Sequence, residues 1–238
     1  MRHIRILVPI AAELPDLLAA EVLEPLKCLV SDDLQISARL LREGPSVIET
    51  VEDELACVPG LENLALEAVR DGVDGLVVDC MADPGVDKLR QMVPIPVLGP
   101  AETAMKLAGV LERRFTVVVP SVGIARLVDQ QVAGHGLMQW YSGSQSAGVS
   151  IGGSDPSRTR ALGALIDAAI RVTNARSDVI ILGCTNWTGL APQIEAALCE
   201  RGRRAMVIDP LPLTVRILGT LLQLRADQTE QVNRVVKN

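Results

Sequence analysis

The sequence predicts an α/β protein of two similar lobes, each a parallel sheet flanked by helices and related by a pseudo-twofold axis. Short apolar runs alternate with longer amphipathic stretches along the 238 residues, a pattern typical of parallel strands buried between helices. The chain is 48% apolar but has four aromatic residues, so its core must be aliphatic. The order of elements also repeats about a hundred residues later, which predicts two lobes with a cleft between them.

The predicted strands are apolar runs bounded by turn residues. They cover residues 4–9, 34–40, 75–79, 96–98, 116–120, 147–151, 178–182 and 205–208. The predicted helices between them have apolar residues at helical spacing. They cover residues 15–28, 61–71, 101–111, 126–133, 156–175 and 190–201, and Ser154 and Asp155 before Pro156 are typical of a helix start.

Three pairs of segments carry the repeat, in the same order and at offsets of 104 to 111 residues. They are "ILVPIA" with "VVVPSV", "DGLVVDC" with "DVIILGC", and "PVLGPAETAMKLAGVL" with "MVIDPLPLTVRILGTL". The third pair is a strand, a turn with proline and a helix, and the pattern leaves open whether each such helix crosses to the other lobe. We expect a first lobe of residues 1–98, completed by 210–238, and a second lobe of residues 99–209.

The composition and the missing motifs disfavour several classes of protein. A formal net charge of −6 and few aromatic residues disfavour nucleic-acid binding. No apolar stretch is long enough to span a membrane, and the chain opens directly on a strand-like segment, so we expect a cytoplasmic protein with its five cysteines as thiols. Phosphate-loop and metal-ligand spacings are missing, and neither His3 nor His135 neighbours a cysteine motif, so we expect no cofactor and no metal.

Two of the five cysteines stand out by position. Cys80 and Cys184 end equivalent apolar strands, and ligands of parallel α/β sheets bind outside the carboxyl ends of strands. The repeat predicts that the two thiols face each other across the cleft, where nearby N–H groups and helix starts would favour a thiolate. Such a pair suits proton transfer at carbon. The remaining cysteines lie in helix-like stretches and are interpreted as structural: Cys28, Cys57 and Cys199.

The segments around these cysteines resemble the aspartate/glutamate/hydantoin racemase superfamily, and the hydantoin racemase branch most closely. They are "GPSVIETVEDE", "VVDCMADPGVDKLRQMVPIPVLGPAETAMKLA" and "VIILGCTNWTGLAPQIEAAL". The resemblance implies a two-lobed, cofactor-independent enzyme, an isomerase, with Cys80 and Cys184 as acid and base, and often a homo-oligomer. The sequence departs from that branch at residues 9–12 and 185–187, so its pocket polarity differs.

Residues next to the strand ends are the candidates for substrate binding. They are Pro9, Ile10, Met81, Ala82, Ser121, Val122, Thr185 and Asn186. For Ser121 the alternative is an ordinary helix N-cap. Three acids have two interpretations each: Asp83 as a helix cap or a catalytic group, and Glu102 and Asp209 as cleft-lining or capping residues. Trp187 either borders the pocket or is a core tryptophan.

Four functions compete at this stage. The first is a racemase or epimerase acting on an amino-acid-derived or hydantoin-like substrate, a small carboxylate or a cyclic ureide. The second is a maleate-type cis–trans isomerase with a nucleophilic cysteine. The third is a decarboxylase, which needs one cysteine and is disfavoured by the intact pair. The fourth is a non-catalytic relative that binds small anions.

Overall fold

The computed structural model describes residues 1–149, 156–174 and 177–236, and their strands form two parallel four-stranded sheets. The first sheet has the order β2-β1-β3-β4 and consists of β1 (Arg2–Val8), β2 (Leu34–Leu40), β3 (Gly75–Val78) and β4 (Val97–Leu98). The second has the order β6-β5-β7-β8 and consists of β5 (Phe115–Val119), β6 (Tyr141–Ser146), β7 (Val179–Leu182) and β8 (Met206–Ile208). The identical strand orders confirm the predicted two-lobed α/β fold.

Helices connect and cover the strands. They are α1 (Pro15–Leu23), α2 (Val51–Arg70), α3 (Val86–Met92), α4 (Pro100–Val110), α5 (Val122–Gly134), α6 (Pro156–Asn174), α7 (Ala191–Glu200) and α8 (Pro210–Val236). The predicted helix 15–28 ends early, because Pro25 interrupts it and the chain continues as a 3-10 turn over Glu24–Leu29. No helix within the described part of the chain is long and apolar enough to cross a membrane.

Helix α2 begins well before the predicted residue 61, although it contains Pro59. Its start is a capping box: the Thr50 hydroxyl accepts the Asp53 N–H at 3.2 Å, and the Asp53 carboxylate accepts the Thr50 N–H at 3.0 Å. A capping box satisfies two of the free N–H groups at a helix start. The buried residues Cys57 and Leu61 lie on either side of the proline, so tertiary packing holds the helix through it.

The predicted strand at residues 147–151 is wrong, because the corresponding strand is β6, Tyr141–Ser146, directly before it. β6 is an edge strand whose six residues are only half-buried, so it lacks the apolar run used to predict strands. Ala147 and Val149 follow as a loop whose N–H groups donate to Val119 and Pro120 carbonyls at 2.8 and 3.1 Å. Residues 150 and 151 of that prediction lie outside the described residues.

Two helices cross between the lobes, which the sequence pattern left open. One face of α4 packs into the core of the second sheet and carries Ala101, Ala104, Met105 and Ala108. One face of α8 packs into the core of the first sheet and carries Leu211, Val215, Leu218 and Leu222. Both faces are almost fully buried, and a buried leucine contributes roughly 1.5–3 kcal/mol. This exchange joins the two lobes, because each helix follows a strand of one sheet and packs against the other sheet.

Candidate active site

The two cysteines occupy equivalent turns beyond the carboxyl ends of β3 and β7. The residue before each cysteine is fixed to the neighbouring strand: Asp79 N–H donates to the Leu7 carbonyl at 2.8 Å, and Gly183 N–H donates to the Val118 carbonyl at 2.7 Å. The pseudo-twofold relation of the sheets therefore extends into both cysteine turns.

Each turn then closes in the same way. The carbonyl of Cys80 accepts the N–H of Asp83 at 3.0 Å, and the carbonyl of Cys184 accepts the N–H of Trp187 at 3.1 Å. The backbone N–H of Ala82 donates to Cys80 Sγ at 3.4 Å, and that of Asn186 donates to Cys184. Each sulfur thus receives an N–H from the second residue after it, an arrangement that stabilises a thiolate.

Burial nevertheless raises the pKa of both thiols. The pKa of Cys184 rises to about 12, because burial outweighs the Asn186 N–H and the Asp79 charge adds to the shift. The pKa of Cys80 rises well above its ordinary value through burial, with smaller contributions from the charges of Cys184, Asp79 and Asp83. The two thiols are therefore close enough for their charges to interact.

This direction is opposite to the lowered thiol pKa that the sequence suggested. The helices expected to begin just after each cysteine start later, α3 at Val86 and α7 at Ala191, with a 3-10 turn between Cys184 and α7. Among the described residues, the charged groups acting on the thiols are anionic. Both thiols are consequently neutral at neutral pH.

A buried carboxylate, Asp79, lies between the two cysteine turns. Its side chain precedes Cys80 in the chain and accepts a hydrogen bond from the hydroxyl of Thr185, which follows Cys184. Burial raises the pKa of Asp79 to about 6, the Thr185 bond lowers it, and the charge of Asp209 raises it further. Sequence reasoning missed this residue, although one signal was available: an aspartate stands where the repeat has Gly183.

Asp83 is a helix cap, as predicted, but it caps α4 and not the helix that follows it. Its two carboxylate oxygens accept the N–H groups of Ala101 at 3.0 Å and Glu102 at 2.7 Å. The carboxylate leaves no room for a side chain at Gly99, where a Cβ would lie 2.3 Å from Asp83 Cγ. Burial raises the pKa of Asp83 to about 7, against the effect of these two N–H donors.

The residues after β1 and β5 occupy equivalent places in the two lobes. Pro9 is buried, and Ile10 is half-buried against the core of the first lobe. Ser121 is exposed at the N-cap position of α5 but makes no side-chain capping bond, and Val122 is 70% exposed. The Ser121 hydroxyl is thus open to solvent, whereas the buried Pro9 has no side-chain group that forms hydrogen bonds.

The candidates in the cysteine turns divide into backbone and side-chain positions. Met81 is buried in the core cluster of the second lobe, so its side chain faces away from solvent, and Ala82 acts through its N–H. Thr185 is half-buried and its hydroxyl donates to the Asp79 carboxyl group, whereas Asn186 is exposed.

The other polar candidates have structural partners. Glu102 pairs with Arg90 at 2.7 Å and also with Lys106, and Asp209 accepts the Gly189 N–H at 2.5 Å. His3 pairs with the Ser37 hydroxyl at 2.7 Å, in the two strands β1 and β2.

Trp187 packs in the core of the second lobe with 5% exposure, together with Cys184. Its indole is therefore a core side chain, the second of the two interpretations.

Metal-binding features are missing from the described part of the chain, which contains no group of three or more histidine, cysteine, aspartate or glutamate side chains that could hold an ion. All five cysteines are free thiols. A surface depression lined by Arg113, Asp178 and Arg203 lies at the amino-terminal ends of β7 and β8, away from the cysteine turns.

Known proteins with similar sequences are racemases. A family model described as Asp/Glu/Hydantoin racemase matches residues 19–218. A hydantoin racemase from Pseudomonas sp. (strain NS671) is 27% identical over 199 residues, 83% of this chain and 78% of that protein. A hydantoin racemase from Rhizobium meliloti is 25% identical over 210 residues, 86% of this chain and 83% of that protein.

Solved structures share the fold at lower identity. An allantoin racemase from Klebsiella pneumoniae superposes with a TM-score of 0.82 at 22% identity, covering 94% of this chain and 89% of its own. A glutamate racemase from Bacillus anthracis has a TM-score of 0.65 at 18% identity, covering 94% and 82%. With the family model matching most of its length, the chain belongs to the Asp/Glu/hydantoin racemase family and is a racemase, an isomerase.

Proposed function

We propose that this protein is a cofactor-independent racemase of cyclic ureides in which Cys80 and Cys184 exchange protons with opposite faces of one carbon. The observation that carries the proposal is the symmetric pair of thiols, each at the end of an equivalent strand and each bonded to an N–H two residues on. A planar intermediate between two such groups can be protonated from either face.

The interaction between the thiols suits this reaction. One cysteine must be a thiolate that removes the proton, while the other must be a thiol that delivers one. Because the charge of Cys184 raises the pKa of Cys80, the loss of one proton opposes the loss of the second. The doubly ionised pair, which has no proton to return to the carbon, is therefore disfavoured relative to the singly ionised pair that racemisation requires.

High thiol pKa values make the thiolate scarce but strongly basic. With a pKa of about 12 for Cys184, roughly one molecule in ten thousand carries that thiolate at pH 8. The proton bonded to a carbon beside a carbonyl is itself weakly acidic, so a strong base matches it. The resulting charge spreads onto the carbonyl oxygen as an enolate, which a hydrogen-bond donor in the cleft would stabilise.

The charges around the thiols favour a neutral substrate. Asp79 and Asp83 both act on the site as anions, and a dicarboxylate such as aspartate, glutamate or maleate would add two more negative charges. A cyclic ureide is neutral and carries N–H donors. Hydantoin racemases and an allantoin racemase are among the relatives, and both of their substrates contain such a ring. The same argument disfavours the maleate-type isomerase.

A substrate panel tests the proposal. Single enantiomers of 5-substituted hydantoins, allantoin, aspartate and glutamate are incubated with the purified protein, and the decay of circular dichroism is followed, while maleate is followed by absorbance. We expect racemisation of one or more cyclic ureides with no added cofactor. Turnover confined to aspartate, glutamate or maleate would contradict the assignment to ureides. Cytoplasmic location and homo-oligomerisation stay predictions, and gel filtration with light scattering tests the latter.

A further inference from the structure

The Asp79 carboxylate has an unused acceptor. Asp79 is 8% exposed, and the Thr185 hydroxyl acts on its carboxyl group as a donor. Oδ1 of that carboxyl group is buried and receives no hydrogen bond from the part of the chain that the structure describes. A buried carboxylate oxygen without a donor is unfavourable and rare in folded proteins, so this oxygen requires an explanation.

Among the described residues, no cationic side chain acts on Asp79. The charged groups that face it from the neighbouring elements are Asp209 after β8 and the two thiols of Cys80 and Cys184. All of these repel a carboxylate when they are ionised. A donor from a bound molecule would satisfy Oδ1 without moving any of these groups.

The acceptor exists on one side of the pseudo-twofold axis only. At the equivalent position of the second lobe, a Cβ on Gly183 would lie 2.6 Å from the Val118 carbonyl oxygen and 3.0 Å from Val119 Cγ1. That position cannot carry a side chain unless β5 shifts. Two nearly symmetric thiols are therefore combined with one asymmetric acceptor, which can distinguish the two ends of a substrate ring.

We propose that Asp79 Oδ1 is a substrate-binding group that accepts the N–H attached to the stereogenic carbon, which is ring N1–H in a hydantoin. The inference rests on the proposed function and deepens it. The charge of Asp79 acts on both thiols, so its carboxylate lies beside the place where the reacting carbon must sit. The N1–H of a hydantoin is bonded to that carbon.

This contact is compatible with racemisation in both directions. Ring N1–H lies near the ring plane, while the proton and the side chain on the stereogenic carbon exchange faces. Asp79 can therefore hold both enantiomers and the planar intermediate in the same way. The enolate charge accumulates on the carbonyl oxygen on the other side of the stereogenic carbon, away from the carboxylate. An interaction that is equal in ground and transition states acts mainly on KM.

The test compares 5-benzylhydantoin with its N1-methyl derivative, which lacks this donor. Racemisation of single enantiomers is measured by circular dichroism for the wild type, Asp79→Ala, Asp79→Asn and the control Glu102→Gln, whose carboxylate pairs with Arg90 and Lys106. A hydrogen bond to a charged acceptor corresponds to roughly a 10- to 100-fold effect. We expect kcat/KM of the wild type and of Glu102→Gln to be at least about 10-fold higher for 5-benzylhydantoin than for its N1-methyl derivative.

In Asp79→Ala, kcat/KM for the parent compound should fall roughly 10- to 100-fold, mainly through KM, and the preference over the N1-methyl compound should disappear. Asp79→Asn keeps an acceptor oxygen, so it should lose less activity and keep the preference. Both variants should melt no lower than the wild type above pH 6, because burial of the ionised carboxylate opposes folding. A merely structural role for Asp79 predicts a lower melting temperature instead.

Three outcomes separate this inference from the proposed function. A wild type that racemises neither a 5-substituted hydantoin nor allantoin overturns the proposed function. A wild type that racemises 5-benzylhydantoin and its N1-methyl derivative equally well overturns the inference and leaves the function standing, and this comparison requires no variant. The inference also fails if Asp79→Ala retains the wild-type kcat/KM for the parent compound.

Discussion

Replacing Asp79 by asparagine should stabilise the protein at neutral pH and have less effect in acid. The pKa of Asp79 rises from 3.8 to about 6 because of burial. Below pH 3.8 the group is protonated in both the folded and the unfolded chain and has no effect on stability. As the pH rises through 3.8 the unfolded chain ionises first, so the folded state loses stability until the pH passes about 6.

The size of the effect follows from the two pKa values. A shift of one pKa unit corresponds to about 1.36 kcal/mol. The ionised Asp79 therefore lowers the free energy of unfolding by about 3 kcal/mol at pH 7.5, and about 2 kcal/mol of this develops between pH 4.5 and 7.5. Asparagine has nearly the same shape and no charge, so the difference between the variant and the wild type should change by about 2 kcal/mol over that range.

Urea denaturation followed by far-ultraviolet circular dichroism measures this difference at several pH values. Asp53→Asn is the matched control, because the N–H groups of Glu49 and Thr50 hold the pKa of Asp53 below its ordinary value. The stability that Asp53 contributes is present above pH 3.8 and is lost as the pH falls through its lowered pKa. The two variants should therefore respond to pH with opposite signs. A difference for Asp79→Asn that is independent of pH would refute the burial of an ionised group.

Three further predictions follow from the geometry. Gly183→Ala forces a Cβ to within 2.6 Å of a carbonyl oxygen and should destabilise the fold by about 1–3 kcal/mol. The control Gly163→Ala in α6 has open space around the new Cβ and should stabilise the fold by about 0.5–1 kcal/mol. Equal melting temperatures of the two variants would contradict this prediction. A thiol reagent should modify the exposed Cys28 and Cys199 before Cys80, as read by mass spectrometry of peptides, and faster labelling of Cys80 would show that its raised pKa is wrong. Treatment with EDTA should leave the racemisation rate unchanged, and a loss that added metal restores would reveal a metal site.

The labelling order also changes how thiol reactivity must be interpreted. The thiolate favoured by the sequence pattern would make the strand-end cysteines the fastest to be alkylated, because the thiolate is the reactive form of cysteine. The pKa of Cys184 rises to about 12 on burial, so the free enzyme holds little thiolate there. Slow alkylation is thus compatible with an acid–base role, and protection by substrate becomes the informative measurement.

Buried strands and the repeat were predictable from sequence because both leave apolar patterns. Residues 34–40 were predicted with the observed bounds, and the other buried strands were placed within one or two residues. The edge strand β6 was misplaced because half-buried residues need no apolar run. The first half of α2 was missed because Pro59 is an unfavourable residue inside a helix, and only tertiary packing overrides it.

The strand-end positions of the two cysteines were predictable for the same reason, but their environment was not. The pKa of a thiol depends on how deeply the turn is buried and on which side chains reach it from other strands. The partnership of Asp79 with Thr185 joins residues from different lobes, and Asp83 reaches a helix that begins far along the chain. Such contacts depend on how the two lobes pack, which no local pattern encodes.

In the proposed mechanism, Cys80 and Cys184 each serve one face of the reacting carbon. The direct test is exchange of the α-proton in D₂O, run separately with each enantiomer, for Cys80→Ser, Cys184→Ser and the exposed control Cys199→Ser. A serine hydroxyl keeps the size of the thiol but is too weak an acid to act as base near neutral pH. Each site variant should lose racemisation by about 10²–10⁴, while the control retains it.

The exchange pattern is decisive. Cys80→Ser should incorporate deuterium only into the enantiomer whose proton faces Cys184, with retention of configuration, and Cys184→Ser only into the opposite enantiomer. That complementary pattern is the result expected of two thiols on opposite faces. Near-normal racemisation in both directions by either variant would contradict the paired mechanism and leave a reaction that needs a single cysteine.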